Sequence, residues 1–133
     1  MVHILSKRYI FLGAIIRIIV HVFTAYIHDL SQEIYLSVIS HGEILFGVAK
    51  QQPGPAKQKR ITYLLDQMSI ALIDEGVARC YGKVRNTLES LGKPIGPNDT
   101  WIAAHAMSLG ATLVTGNVRE YKRVAGLKVE NWV

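Results

Sequence analysis

Apolar and polar positions along the 133-residue chain change period several times, and each change predicts an element. Residues 2–5 form a short apolar run that predicts a central strand, and the stretch over residues 10–28 is long enough for the helix after it. Residues 33–40 read Glu-Ile-Tyr-Leu-Ser-Val-Ile-Ser, rich in β-branched side chains and with little polar alternation. A strand covered on both faces has this composition, which points to a parallel sheet between helices. Helical character over residues 41–50 ends at Gln51-Gln52-Pro53-Gly54-Pro55, which breaks the chain.

The next helix is predicted over residues 56–67, with Ile61, Leu64, Leu65 and Met68 on one side. Residues 69–73 predict a third strand, closed by Asp74 as the cap of a following helix. In that helix Val77, Tyr81, Val84, Leu88 and Leu91 step by four or three residues and make one apolar face, and Gly92 ends it. Gly96 and Pro97 form a loop before a helix over residues 99–109, stopped by Gly110. Residues 112–115 and 127–130 complete the strands, the last a short one at the edge. Strands and helices thus alternate, which predicts a doubly wound α/β sheet of about five mostly parallel strands wrapped by helices.

Composition narrows this picture. At 50% hydrophobic residues, residues 1–133 suit one domain with one core. The net charge of +5 comes from basic residues gathered near Lys57 to Arg60, Arg79 to Arg85 and Arg119 to Lys128, a balance that suits a polyanion such as RNA or an acidic protein. The single cysteine, Cys80, excludes an intramolecular disulfide and is read as buried filler in a reducing, cytoplasmic setting. Residues 9–23 are apolar enough to raise a membrane anchor, with Lys7 and Arg8 ahead of them. Arg17 and His21 interrupt the run, which falls short of the roughly 20 residues a spanning helix needs. A buried core helix is the preferred reading, and no membrane association is expected.

Candidate chemistry follows from the topology. In a doubly wound sheet, side chains at the C-terminal ends of strands share one crevice. Ser6 follows the predicted first strand, Glu43 follows the second, Asp99 opens a helix beside the sheet, and Asn117 follows the fourth strand. Such a cluster of oxygens, with no histidine or thiolate pair nearby, suits a hard cation such as Mg²⁺ or Mn²⁺ and is poor for zinc. Thr115 reads equally as a hydrogen-bond partner of water at the site or as a cap of its loop. His41 and His105 lie near the crevice and are read as packed side chains. Trp101 and Trp132 are read as core or interface aromatics.

Three segments, in order, resemble the PIN domains, and within them the VapC-type toxins of toxin–antitoxin modules. Leu36-Ser37-Val38-Ile39-Ser40-His41-Gly42-Glu43-Ile44-Leu45-Phe46-Gly47 resembles the family's second-strand signature with its glutamate. Pro94-Ile95-Gly96-Pro97-Asn98-Asp99, leading into Ile102-Ala103-Ala104-His105-Ala106, resembles its aspartate helix. Leu113-Val114-Thr115-Gly116-Asn117, Arg119-Glu120-Tyr121 and Gly126-Leu127-Lys128-Val129-Glu130-Asn131-Trp132 resemble its closing segment.

The resemblance implies a mostly parallel sheet in an α/β/α arrangement and metal-dependent cleavage of RNA. Glu43, Asp99 and Asn117 would be the site residues, Glu43 and Asp99 holding Mg²⁺ or Mn²⁺ and Asn117 standing where an aspartate is common. It also implies inhibition by an antitoxin protein and pairing as a homodimer. The chain departs from the family at its start. The family carries an aspartate directly after the first strand, whereas this chain reads His3-Ile4-Leu5-Ser6-Lys7-Arg8, with Ser6 in the expected place. A hydroxyl is a neutral, weaker ligand for a hard cation. The alternative is therefore a catalytically impaired PIN fold that still binds antitoxin or RNA.

Overall fold

The computed structural model describes residues 8–12 and 32–131, with side chains from residue 34 onward. Among the described residues five strands form one sheet: β1 (Arg8–Leu12), β2 (Gln32–Ser37), β3 (Ser69–Ala71), β4 (Thr112–Val114) and β5 (Lys128–Glu130). Their order is β3-β2-β1-β4-β5, and every neighbouring pair is parallel. The helices are α1 (Val38–Gln51), α2 (Pro55–Asp66), α3 (Glu75–Ser90), α4 (Pro97–Ser108) and the short α5 (Val118–Tyr121). The predicted α/β class and parallel strand direction hold.

β1 is the middle strand. From it the chain builds outward to β2 and β3 on one side, then returns through α3 and α4 to place β4 and β5 on the other. The strand order therefore reverses beside β1, and the crevice at the C-terminal ends of β1, β2 and β4 is where such a sheet leaves room for a ligand. Register sets those ends level: Leu12 pairs with Leu36 and with Val114.

The N-terminal expectation needs correction. Ile10, Phe11 and Leu12 belong to β1, so no helix begins at residue 10. The run Tyr9-Ile10-Phe11-Leu12 is continuously apolar, and periodicity alone does not separate a short buried strand from helix. Pairing on both sides decides it, because Ile10, Phe11 and Leu12 each have a partner in β2 and in β4. The strand predicted over residues 2–5 and the helical remainder over residues 13–28 lie outside the described residues.

The other corrections are at boundaries. β2 stops at Ser37 rather than at residue 40, because the Ser37 hydroxyl accepts a hydrogen bond from the Ile39 N–H at 3.1 Å and starts α1. β3 ends at Ala71, two residues short of prediction. Asp74 caps α3 as expected, its carboxylate accepting from the Val77 N–H at 3.0 Å. Gly92, just past α3, has φ +68°, a left-handed conformation that favours glycine.

The core lies where α3 and α4 pack together and against the sheet. Leu88 and Val84 of α3 meet Ile102, Ala103 and Ala106 of α4, with Leu113 of β4 beneath. Ala103, Ala104 and Ala106 are fully buried, and their small side chains let the α4 backbone sit close to its neighbours. Tyr81 and Trp101 stack across the two helices, ring centroids 3.9 Å apart and planes within 13°. Trp101 is thus packing material, as read, while Trp132 lies outside the described residues. Cys80 is partly buried rather than core filler. No helix among the described residues is long and apolar enough to cross a membrane.

Candidate active site

The fold positions Glu43 and Asp99 from two helices that start at the same edge of the sheet. Ser37, at the end of β2, caps α1, and Glu43 comes six positions later, on an exposed face of that helix. Asp99 is the third residue of α4, whose cap Gly96 offers no side chain, so the carboxylate lies in the first turn, where the helix dipole favours negative charge. The two helices are tied together in the interior as well. His105 of α4 is 1% exposed, and its Nδ1 is 3.1 Å from the Ser37 hydroxyl.

Polar bonds at the surface link the same two segments. Asn98 Nδ2 donates to Glu43 Oε1 at 3.0 Å, so the residue next to Asp99 holds Glu43. The Tyr121 hydroxyl, on α5, donates to Asp99 Oδ1 at 2.9 Å. The Tyr121 ring is 2% exposed. Burial raises its phenol far above the usual range, and the charges of Asp99, Glu43 and Glu120 push it the same way, as does the hydrogen bond to Asp99. Tyr121 therefore stays a neutral donor among three carboxylates, which places Glu43, Asp99 and Glu120 in one electrostatic neighbourhood.

Asn117 arrives at this edge from the turn after β4. Its Nδ2 donates to Glu120 Oε2 at 3.0 Å, and it makes no hydrogen bond to Glu43 or Asp99. The Thr115 hydroxyl, 3% exposed, accepts from the Asn117 N–H at 3.1 Å, while its own N–H donates to the Glu130 carbonyl at 3.0 Å. Thr115 thus shapes the loop that presents Asn117.

Ser6, and the strand over residues 2–5 that it is predicted to follow, lie outside the described residues.

Among the described residues no three acidic, histidine or cysteine side chains are grouped to hold one metal ion. The two carboxylates predicted as ligands, Glu43 and Asp99, each have one oxygen tied by a neutral donor, and Glu120, the third acid near Tyr121, is bound by Asn117. His41 lies partly buried in the first turn of α1. Sequence reasoning passed over Asn98 and Tyr121 as site residues. The signal was present in part: Asn98 adjoins Asp99 on the same helical turn, and Tyr121 follows Asn117 by four residues.

The PIN domain model matches residues 14–127. Ribonuclease VapC1 of Haemophilus influenzae (strain R2866) is 35% identical over 102 residues, covering 77% of this chain and 76% of the relative. The tRNA(fMet)-specific endonuclease VapC of Shigella flexneri is 34% identical over 97 residues, covering 73% and 74%. Among solved structures, VapBC2 from Rickettsia felis bound to a DNA fragment from their promoter superposes with a TM-score of 0.78 at 30% identity, over 94% of this chain and 98% of that one. VapBC-1 from nontypeable Haemophilus influenzae gives 0.76 at 30% identity, over 93% and 97%. A sheet ordered β3-β2-β1-β4-β5, acids brought to its C-terminal edge from α1 and α4, and a family match across most of its length together make this chain a member of the PIN domain family, on its VapC branch.

Proposed function

We propose that this chain is an endoribonuclease, the toxin of a type II toxin–antitoxin pair, acting with Mg²⁺ or Mn²⁺ held by Glu43 and Asp99. The carrying observation is that Glu43 and Asp99, 56 positions apart in sequence, are joined through Asn98, the neighbour of Asp99, while Tyr121 binds Asp99. The donor set fits a hard cation. Both donors are carboxylates, and Mg²⁺ keeps several waters while binding one or two protein carboxylates plus substrate phosphate oxygens. The chemistry such an ion supplies is neutralisation of phosphate charge and acidification of water. Glu43 and Asp99 would hold it, Asn117 would add an amide oxygen at the rim, and lysines and arginines would position the RNA through its phosphates.

The relatives named as ribonucleases and a tRNA endonuclease support RNA as substrate. The structures titled VapBC support a cognate antitoxin as partner, and we extend the proposal to a homodimer of one-domain chains. Full-length protein should cleave RNA in Mg²⁺, and Asp99→Asn should reduce the rate by about 100-fold or more, the scale of losing a principal electrostatic group. Equal cleavage by Asp99→Asn would remove the metal role.

One observation favours the impaired reading. The resemblance places an aspartate directly after the first strand, where His3-Ile4-Leu5-Ser6 carries a serine, so the predicted ligand set keeps two formal negative charges, from Glu43 and Asp99. Ser6→Asp decides between the readings. A native chain that cleaves is the enzyme; cleavage only by Ser6→Asp identifies a binding protein that has lost catalysis.

A further inference from the structure

Each carboxylate of the pair has one oxygen occupied and one left over. Asp99 Oδ1 takes the Tyr121 hydroxyl and Glu43 Oε1 takes the Asn98 amide, and among the described residues neither acid has any further hydrogen bond or ion pair. The donors share a property: both are neutral. A lysine or arginine in either place would cancel part of the negative charge that attracts a cation, whereas a phenol or an amide fixes the carboxylate and leaves its charge intact.

The donors also differ in rigidity. Tyr121 is built into the core beside Ala103, Ala106, Leu113 and Val124, so its hydroxyl has a fixed position. Asn98 is exposed, but it rides on the first turn of α4 one residue before Asp99, so the two acids share a mount.

We infer that Tyr121 and Asn98 are positioning residues that fix the orientation of Asp99 and Glu43 by binding one oxygen of each, leaving the second oxygen of each to a divalent cation. The inference rests on the metal reading of the site and adds to it which residues organise the ligands. Free carboxylates sample several rotamers, and holding them in one lowers the cost of binding an ion. Outer partners of this kind change metal affinity by about 10- to 100-fold when removed.

The test is calorimetric titration of the full-length chain with Mn²⁺, together with RNA cleavage over a range of Mn²⁺ concentrations. Tyr121→Phe keeps the buried ring and removes only the donor. It should bind Mn²⁺ about tenfold more weakly, with kcat lowered at limiting Mn²⁺, KM for RNA unchanged, and the rate restored by raising Mn²⁺. A purely structural role would not be rescued by metal. Asn98→Ala, at an exposed position, should also weaken Mn²⁺ binding and serves if Tyr121→Phe does not fold. Mn²⁺ binding equal to or tighter than the parent in the folded variants overturns this inference alone, as does a rate loss that added Mn²⁺ does not recover. No Mn²⁺ binding by the parent chain overturns the metal reading and the inference with it.

Discussion

Burial sets the charge state of His105. The ring is 1% exposed, and desolvation pulls its pKa below the ordinary value of 6.5, against smaller upward contributions from a hydrogen bond to the Leu72 backbone and from the Asp74 charge. The neutral form is favoured in the folded protein, so this stability is complete above 6.5 and is lost as the pH falls from there through the lower, folded-state pKa. In that window the unfolded chain binds the extra proton. The urea midpoint should therefore fall on acidification below about pH 6.5, and His105→Gln should flatten that dependence. An unchanged slope in the variant would assign the effect to other groups. His105 was legible in the sequence only as a packed histidine; its bond to Ser37 was not, because the partners are 68 residues apart and meet only when α4 lies against the end of β2.

At the scale of elements, capping residues decide boundaries that composition blurs. The β-branched Val38 and Ile39 read as a continuation of β2, yet they open α1 because Ser37 satisfies the Ile39 N–H. Asp74 does the same for α3, and there the sequence reading was correct, since no β-branched residue follows directly to compete. Asp74 is exposed, so Asp74→Ala tests the cap with little loss of packing. It should lower stability by about 1 kcal/mol, measured by chemical denaturation; an unchanged midpoint would mean that the Val77 N–H finds an equivalent partner. The β1 misreading has a different origin. A strand of five residues carries too few positions for period 2 to outweigh the apolar stretch that follows it, and its register comes entirely from β2 and β4.

Over the whole molecule, the sheet order matters because it brings α1, the start of α4 and the turn after β4 to one edge. Leu113 stands at the centre of that arrangement, fully buried in β4 and level with Phe11 of β1 and Val129 of β5. Leu113→Ala should cost about 2–5 kcal/mol by the cavity it leaves, read as a lower thermal midpoint. Because β4 feeds the turn carrying Thr115 and Asn117, the same variant should weaken RNA cleavage beyond the fraction unfolded. A loss of stability with full activity in the folded fraction would separate the core from the site.

The sequence by itself determined the alternation of strands and helices, the parallel sheet, and the caps at Asp74 and Gly92, and it supplied Glu43 and Asp99 as candidates. These follow from local patterns of burial and from residue types whose chemistry is their own. Only the tertiary structure decided that residues 8–12 form the middle strand, that Ser37 meets His105, and that Tyr121 and Asn98 each hold one oxygen of an acid. Those are contacts between segments tens of residues apart, formed when burial of apolar faces closes the sheet, and the chain leaves no mark of them in its periodicity.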